Sequence, residues 1–475
     1  MTFHSLHSIR PRHLFTWLRL FPAIAAAAAI LGALSTAYSA EISIAVARRV
    51  AEQQLRHHVA LFGEWNGSDH PTIADAQPLY VDGGGPIAYH VKVSPGGYVL
   101  VSPDDALSPI PFYSTRATFD PDRAGDANAL ESWIIPEASG KIKRLRRFRS
   151  RAAASAHGAT PSLRSARRKA KWDYLKNRTG DGFPPDRALD AAVGAMAGEQ
   201  LPGRSAVSPL MTTAWGQASP FNLKMPEPPG GSCSNALTGC VATAWAQVLK
   251  YYEWPEQGTG NGDYSYLGDG SDVVDFSDAK AYDWDNMPDV LTDSSPQAQK
   301  DAVGWLMYYT GMAAETDFGC ALSSSSVWAS DVLARYFKYK STLSLHSRYN
   351  DAITPATPNY DADAWFNLIK AEVDLGRLVI FSIFSDSGGH EVVVDGYNDL
   401  DAVHINYGWE GNHDGFYDIS DDDDFDGGGF DWYVDRQQYL VVGIEPDQTT
   451  ASRGGGGGGG RGGGCFILSM SFWLN

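Results

Sequence analysis

The sequence predicts an α+β protein in which helices and antiparallel strands lie in separate parts of the chain. Residues 241–252 have apolar side chains at helical spacing. Strand-like runs at residues 378–384, 391–397 and 402–407 follow much later, joined by short polar turns. A second helical pattern, again followed by strand-like runs, lies within residues 44–101. The chain is therefore expected to contain two α+β units of different size.

Length and composition are those of an ordinary globular protein. The 475 residues suffice for about three domains at roughly 150 residues each. With 43% hydrophobic and 20% charged residues, most of the chain can bury a core, which excludes disorder of the whole chain. Four cysteines form at most two bridges and cannot hold a chain of this length together, so a disulfide-stabilised miniprotein is excluded as well.

Charge is distributed unevenly along the chain. Residues 1–204 carry 25 Lys/Arg against 18 Asp/Glu, whereas residues 205–450 carry 11 against 38. Phosphate binding requires clustered Lys and Arg, so the acidic part argues against nucleic acid as a partner. The opposite charges suit docking of the two parts onto each other, and they suit equally a basic, exposed linker.

The N-terminus predicts a signal peptide over residues 1–39 and hence a secreted protein. Basic residues precede an apolar run at residues 20–34, and Ala37 and Ser39 place small side chains at the two positions that a signal peptidase recognises. The apolar run is short for a membrane span. An uncleaved N-terminal anchor is the alternative.

Residues 40–120 predict a compact α+β module. Residues 44–55 have the spacing of an amphipathic helix, and residues 88–93 and 98–101 are β-rich runs joined by a Ser-Pro-Gly-Gly turn.

A basic segment follows this module, in residues 121–207. Residues 141–171 alone carry 12 Lys/Arg without a sustained apolar period. The segment is predicted to be a flexible linker that proteases reach, or alternatively a solvated basic helix.

Cys240 is the first candidate for chemistry. It directly precedes the helical pattern at 241–252, so its thiol is expected at a helix N-terminus, near about half a positive elementary charge. Such an environment lowers the pKa of a thiol from roughly 8.5 and stabilises the nucleophilic thiolate. Gly239 lets the backbone turn tightly and a substrate approach. A buried structural thiol or half of a disulfide is the alternative.

A nucleophilic thiol needs a base, and His390 is the candidate. It lies at the start of the second late strand and Asn406 near the end of the third. Antiparallel pairing would let the Asn406 amide hold the His390 ring in the useful tautomer. An early Cys followed by a distant His and Asn is the papain-type order. His404 is the competing base and is interpreted as an ordinary strand residue.

Gln217 is the candidate donor for an oxyanion hole. Charge develops on the carbonyl oxygen as a thiolate attacks, and the Gln217 amide together with the Cys240 backbone N–H would stabilise that charge. A single Gln is usually a surface residue, so this assignment depends on its place upstream of Cys240.

Four motifs together resemble the streptopain family of secreted cysteine endopeptidases. They are TAWGQ at 213–217, TGCVATA at 238–244, GHEVVVDGY at 389–397 and HINYGW at 404–409. The resemblance covers about residues 208–446, and the order of the motifs is specific. Residues 97–105, GYVLVSPDD, are similar to the signature of the family's inhibitory propeptide.

The resemblance implies a papain-like peptidase domain over residues 208–448, with a helical subdomain and an antiparallel β subdomain. An inhibitory α+β propeptide domain at residues 40–120 would precede it, so the protein would be a zymogen, cut between Asp190 and Ser208. The implied roles are Cys240 as nucleophile, His390 as general base and acid, Gln217 in the oxyanion hole, and Asn406 and Trp409 as supports of the histidine. No cofactor is expected.

The sequence departs from the family pattern at Trp245, Glu391 and Tyr407. Trp245 stands where Ala or Thr is common. Glu391 follows His390 where a small apolar residue is usual, and its carboxylate is expected to raise the pKa of the histidine. Tyr407 replaces a frequent Trp and can still cover the His–Asn pair from solvent.

Two further thiols, Cys233 and Cys320, are expected either to bridge each other or to compete for Cys240. A zinc pair of Cys233 and Cys240 is a weaker alternative because their spacing fits no common structural site. No metal site is therefore predicted.

The resemblance also points to the borders of a substrate cleft. The residues expected there are Gly239, Gly389, Ser324 and Ser325. The two serines belong to a Ser-rich run after Gly319, where the family has a Ser/Gly-rich loop. A flexible turn before the next helix is the alternative.

Two C-terminal segments carry weaker signals. The Asp-rich residues 421–426 suggest a calcium loop, but an EF-hand counted from Asp422 would need a bidentate ligand at Tyr433, so a solvated loop is predicted. Residues 449–475 are a Gly-rich linker with a short apolar end opening at Cys465. This tail is the only segment through which membrane association is expected.

The sequence thus predicts a secreted cysteine endopeptidase that acts on protein or peptide substrates and is inhibited by its own propeptide. The alternatives are a secreted, non-enzymatic binding protein of adhesin-like type on the same scaffold, and a Cys–His acyltransferase. The presence of Gln217, Cys240, His390 and Asn406 together favours the enzyme, because a pure binding protein has no physical need of all four.

Overall fold

The computed structural model describes residues 41–449 with several gaps. The gaps are residues 82–83, 123–134, 136–137, 141, 144, 147–162, 178–205, 229–231, 267–269, 278–281, 326, 349–358, 386–387 and 420–437. The predicted signal peptide, the Asp-rich loop, the apolar end of the tail and most of the predicted maturation region lie outside the described residues.

The N-terminal module, residues 41–122, is a helix packed on a small antiparallel sheet. Helix α1 spans Ile44–Phe62 and begins at Ser43, whose hydroxyl accepts the Val46 N–H at 3.4 Å. The strands are β1 (Thr72–Leu79), β2 (Ala88–Ser94), β3 (Tyr98–Val101) and β4 (Phe112–Ser114). The predicted helix and hairpin are confirmed. Helix α2, Leu163–Asn177, follows the module.

The larger unit, residues 206–449, places its helices before most of its strands. Its helices are α3 (Cys240–Tyr252), α4 (Gln297–Ala313), α5 (Ala329–Tyr336) and α6 (Ala362–Val373), with a short 3₁₀ turn at Trp284–Asn286. Its strands are β5 (Asn261–Tyr266), β6 (Gly270–Asp275), β7 (Ser344–Ser347), β8 (Val379–Ser385), β9 (Gly388–Tyr397), β10 (Ala402–Asn406), β11 (Gly415–Asp418) and β12 (Tyr439–Val442). None of the helices in the described part of the chain combines the length and hydropathy that a membrane crossing requires.

One ten-stranded antiparallel sheet runs through both units. Its order is β1-β2-β3-β4-β11-β10-β9-β8-β12-β7, and β5 and β6 form a separate hairpin. The two units join where β4 pairs with β11, with Tyr113 opposite Phe416 and Phe112 opposite Tyr417. The α+β class and the three late antiparallel strands are confirmed.

Strand β9 separates two hydrophobic cores. Val393 packs with Trp245 of α3, whereas Val392 and Val394 pack with Trp365 of α6. Successive side chains of a strand point to opposite faces, so odd-numbered residues of β9 face α3 at this level of the sheet. This alternation determines which polar residues meet in the site.

Helix α2 does not behave as an exposed linker. The Lys171 side chain is 6% exposed, and its Nζ lies 2.8 Å from Asp418 Oδ2 and 3.3 Å from Asp401 Oδ2. The Trp172 indole donates to the Leu107 carbonyl at 2.8 Å. The prediction of a flexible linker or a solvated helix is wrong for residues 171–175, where Lys171, Trp172 and Leu175 are buried. Two buried carboxylates of the larger unit and an apolar face hold this basic helix in place.

Candidate active site

Cys240 is the first residue of α3, and the backbone turn before it depends on Gly239. Gly239 has φ +85°, a conformation that favours glycine, and its carbonyl accepts the Thr243 N–H at 3.1 Å and the Thr243 hydroxyl at 2.9 Å. Because Gly239 has no side chain to cap the helix, the unpaired N–H groups of the first turn remain directed toward the cysteine.

Burial decides the protonation state of the Cys240 thiol. Burial raises the pKa of the thiol to about 11, and the charge of Glu391 raises it as well, whereas hydrogen bonds from backbone N–H groups of Cys240, Val241 and Glu391 lower it. The predicted lowering of the thiol pKa is therefore wrong for this form. Desolvation of a buried thiolate outweighs the helix-terminal N–H groups.

His390 lies on β9 and is held by a backbone carbonyl. Its Nε2 donates to the Tyr407 carbonyl oxygen at 3.0 Å. The ring lies 4.6 Å from the Trp409 ring and stacks on Tyr407 at 5.7 Å between centroids. Burial lowers the pKa of His390 to about 4, against a smaller raising effect of the Tyr407 hydrogen bond. Trp409 thus covers the histidine, in the supporting position that the resemblance implies.

Burial shifts the pKa values of the thiol and the imidazole in opposite directions, raising that of Cys240 and lowering that of His390. With the pKa of Cys240 near 11 and that of His390 near 4, proton transfer between them is unfavourable at neutral pH. Among the described residues, Cys240 has no side-chain hydrogen bond to the histidine ring. The structure brings the backbone N–H of Glu391, the residue after His390, to the Cys240 sulfur.

Asn406 does not orient His390, contrary to the sequence prediction. Its Nδ2 donates to the Thr213 carbonyl at 2.8 Å, and its Oδ1 accepts the Gln247 amide at 3.0 Å. The register places Asn406 opposite Val393, so its side chain points toward α3. The Tyr407 carbonyl takes over the hydrogen bond to His390 that was assigned to the amide.

We predict that Asn406→Ala mainly lowers stability. Loss of this buried amide leaves polar groups of Gln247 and Thr213 without their partner, which costs about 2 kcal/mol of unfolding free energy. Urea unfolding of the processed enzyme measures the change. Asn412→Ala removes an exposed amide from the same loop and is expected to leave the midpoint unchanged. Equal midpoints for the two variants would contradict the structural role.

Gln217 lies next to the residues that directly precede Cys240. The Thr238 N–H donates to the Gln217 carbonyl at 3.0 Å, and the Glu410 N–H donates to the Trp215 carbonyl at 3.0 Å. Gly216 packs so closely on Glu410 that a Cβ there would lie 2.6 Å from its Cγ. The Trp215–Gln217 segment is therefore fixed between the residues that precede Cys240 and the loop that contains Trp409 and Glu410.

A disulfide fastens the serine-rich loop to the nucleophile segment. Cys233 and Cys320 are bonded, with Cα atoms 5.7 Å apart, so bridging is confirmed and the zinc pair of Cys233 with Cys240 is wrong. The Ser323 hydroxyl donates to the Leu237 carbonyl at 2.8 Å, and a Cβ on Gly239 would lie 3.2 Å from Ser323 Cβ. Ser323, which the sequence assignment left out, is the serine that meets Gly239.

The other predicted cleft residues lie on the serine-rich loop and at the start of β9. Ser324 is exposed and bridges to Asp317 through the backbone, and the Ser325 hydroxyl donates to the Ala314 carbonyl. Gly389 is exposed at the start of β9, where a Cβ would lie 2.7 Å from the Phe384 ring. Ser324 and Gly389 remain open to solvent, whereas Ser325 holds the loop to the end of α4.

His404 has a separate partner and does not act as the base. Its Nδ1 lies 2.6 Å from Asp395 Oδ1, and this carboxylate raises the pKa of His404 against the effect of burial. Asp414 accepts the Tyr407 N–H at 2.8 Å, and burial raises its pKa to about 7. His404 is thus a strand residue in a buried ion pair, as predicted.

The sequence did not predict contacts made by backbone groups or between side chains of different helices and strands. The Tyr407 carbonyl has no side-chain signal that a sequence displays. Gln247 did give such a signal, because a polar residue on the buried face of α3 needs hydrogen-bond partners there. Its side-chain amide binds Asn406 and the Thr213 hydroxyl. Contact between Glu391 and Cys240 was missed because the expectation paired the carboxylate with His390.

Comparison with known proteins agrees with this geometry. The model of the peptidase C10 family matches residues 215–417, which include the thiol, the histidine and their surroundings. The chain is 25% identical to streptopain of Streptococcus pyogenes over 375 residues, covering 75% of this chain and 80% of that protein. It is 29% identical over 262 residues to the thiol protease/hemagglutinin PrtT of Porphyromonas gingivalis, covering 52% of this chain but only 29% of PrtT.

A solved structure has the same fold. Prointerpain A of Prevotella intermedia superposes with a TM-score of 0.52 at 24% sequence identity, covering 78% of this chain and 98% of that one. The papain-like fold class is confirmed by this likeness. The match to the peptidase C10 family model contains Cys240, His390 and Trp409 in their predicted order, and together with the similarity to streptopain it supports a cysteine peptidase of the streptopain type.

Proposed function

We propose that the chain is a secreted cysteine endopeptidase made as a zymogen, with the peptidase domain at residues 208–448. The observation that carries the proposal is a free thiol at the N-terminus of α3, which accepts the backbone N–H of Glu391, the residue after His390. A thiol at a helix terminus beside a histidine is the arrangement that nucleophilic acyl transfer requires.

The proposed reaction proceeds through an acyl-enzyme. His390 takes the proton of Cys240, and the sulfur attacks the carbonyl carbon of a peptide bond. The Cys240 N–H and the Gln217 amide stabilise the oxyanion. His390 then gives the proton to the leaving amine, activates a water, and returns the enzyme to its resting state. The substrates are proteins or peptides, and the chemistry needs no cofactor.

The described form corresponds to the latent zymogen. The N-terminal module and α2 are docked on the peptidase domain through the β4–β11 pair and through Lys171. The Tyr407 carbonyl holds His390 through Nε2, so that Nδ1 is the ring nitrogen proposed to take the Cys240 proton once the propeptide is removed. The propeptide at residues 40–120 acts as an intramolecular inhibitor in this proposal, and residues 121–207 contain the activation segment.

The maturation cut lies before Val207 within the proposed window from Asp190 to Ser208. Val207 pairs with Tyr397 at the end of β9 through two backbone hydrogen bonds of 2.9 and 3.0 Å. A cut after Val207 would detach a strand residue from the peptidase sheet. Residues 1–39 are proposed as the signal peptide that directs the zymogen out of the cell.

Cys240→Ala tests the proposal directly. In residues 40–450, we expect the substitution to abolish casein cleavage and self-processing, because no other group supplies the acyl-enzyme. A thiol-alkylating reagent should do the same to the unsubstituted chain. Persistent cleavage by Cys240→Ala would refute the mechanism. Alkylation-sensitive amide exchange without hydrolysis would favour an acyltransferase, and absence of both activities in the unsubstituted chain would favour a binding protein.

A further inference from the structure

Two departures from the family pattern, Trp245 and Glu391, contact each other. The Trp245 indole N–H donates to Glu391 Oε1 at 2.6 Å, and the Ser382 hydroxyl donates to Glu391 Oε2 at 2.8 Å. Trp245 is fully buried and Glu391 is 5% exposed. Ser382 lies opposite Glu391 in the β8–β9 register. One carboxyl group thus connects the start of β9 to α3 and to β8.

The same residue faces the nucleophile. The backbone N–H of Glu391 donates to the Cys240 sulfur, and the charge of its carboxyl group acts on the thiol. Trp245 lies on the same helix as Cys240, so the carboxyl group fixes β9 relative to the helix that carries the thiol. Glu391 therefore presents a hydrogen-bond donor and a charge to one sulfur atom.

The carboxyl group has no cation to offset its burial. Within the described residues its two side-chain partners, Trp245 and Ser382, are uncharged. Its charge acts on the Cys240 thiol of α3, and His390 is its neighbour along β9. Burial raises the pKa of Glu391 to about 7, against the two hydrogen bonds. The carboxyl group therefore changes its charge near neutral pH.

We propose that Glu391 is a positioning residue, which holds its own backbone N–H against the Cys240 sulfur and sets, through its carboxyl charge, the pH at which the thiol ionises. This inference rests on the proposed role of Cys240 as nucleophile. As pH rises, the carboxyl group loses its proton, and the resulting negative charge disfavours the thiolate. Ionisation of Cys240 is thereby moved to higher pH.

The test compares Glu391→Gln with the unsubstituted zymogen. Gln keeps an oxygen for the Trp245 indole and an amide for the Ser382 hydroxyl but removes the charge. Both proteins carry Cys465→Ser, so that Cys240 is the one free thiol, since Cys233 and Cys320 are bonded. The rate of iodoacetamide alkylation, followed by intact mass, is measured against pH. We expect the midpoint of the rate profile to fall by about one pH unit in Glu391→Gln.

A matched control removes the same charge elsewhere on the helix. Glu253→Gln lies at the far end of α3, with a side chain that is 57% exposed, and its alkylation profile should coincide with that of the unsubstituted chain. An unchanged profile in Glu391→Gln would overturn the electrostatic role. Alkylation needs no peptide cleavage, so a shifted profile in an inactive protein would refute the peptidase proposal and not this inference.

Glu391→Ala tests the positioning role. It removes both side-chain hydrogen bonds, so β9 loses its hydrogen-bonded link to Trp245 of α3. In the processed enzyme we expect kcat to fall about tenfold with little change in KM, and Glu391→Gln to recover most of the loss. A kcat for Glu391→Ala equal to that of the unsubstituted enzyme would overturn positioning.

Discussion

Replacement of His390 by alanine is expected to lower kcat/KM for a peptide substrate by about 10³-fold, in the range that a general acid–base catalyst contributes. The imidazole is the group that removes the thiol proton and protonates the leaving amine. In the described form its Nε2 donates to the Tyr407 carbonyl and its ring packs on Trp409. The substitution removes the proton carrier and leaves the Cys240 thiol in place.

Processing must be separated from catalysis in this experiment. The His390→Ala zymogen should fail to mature by itself, so active enzyme is added to cut it. The added enzyme is then removed, and the initial rate of peptide cleavage by the variant is measured. His346→Ala, on the distant strand β7, provides a matched loss of imidazole and should retain activity. If His390→Ala cleaved at the rate of His346→Ala, the catalytic role of His390 would be refuted.

Lys171→Met is expected to release the propeptide from the peptidase domain. Its ammonium group lies between Asp401 and Asp418, whose side chains are 3% and 4% exposed. Removal of one partner from a buried ion pair costs about 3–5 kcal/mol, because the remaining charges stay desolvated. The docked state of the zymogen should be destabilised by a comparable amount, and self-processing should become faster.

The measurement uses the full zymogen in two forms. With Cys240 intact, the time course of self-processing is compared between Lys171→Met and the unsubstituted chain. In a Cys240→Ala background, which cannot process itself, urea unfolding reports the loss of docking stability. Lys169→Met removes an exposed ammonium group from the same helix and should leave both readouts unchanged. Identical behaviour of the two lysine variants would show that α2 does not hold the propeptide.

Local periodicity predicted the elements that carry the site. The helical spacing after Cys240 predicted α3, which begins at that residue, and alternating apolar runs predicted β8, β9 and β10. These predictions were correct because the side chains on the buried face of an amphipathic helix or of a strand recur at regular intervals along the sequence. The order of the four motifs on these elements then indicated the resemblance to the streptopain family.

The role of Asn406 was not predictable from the same patterns. A bulge between His404 and Ile405 shifts the register of β10 against β9, so that Asn406 faces Val393 and α3. Distance along the sequence does not reveal a bulge. Backbone contacts such as the Tyr407 carbonyl are likewise decided by how two strands and a loop meet.

The reactive groups of the chain, their order, and the helix and strands that carry them could be read from the amino-acid sequence. The contacts of each group and the shifts of its pKa arise only on folding. Burial raises the pKa of Cys240, Trp245 pairs with Glu391, and Lys171 is enclosed by two aspartates. The reason is physical: periodicity is a property of neighbouring residues, whereas desolvation and pairing depend on residues far apart in the chain.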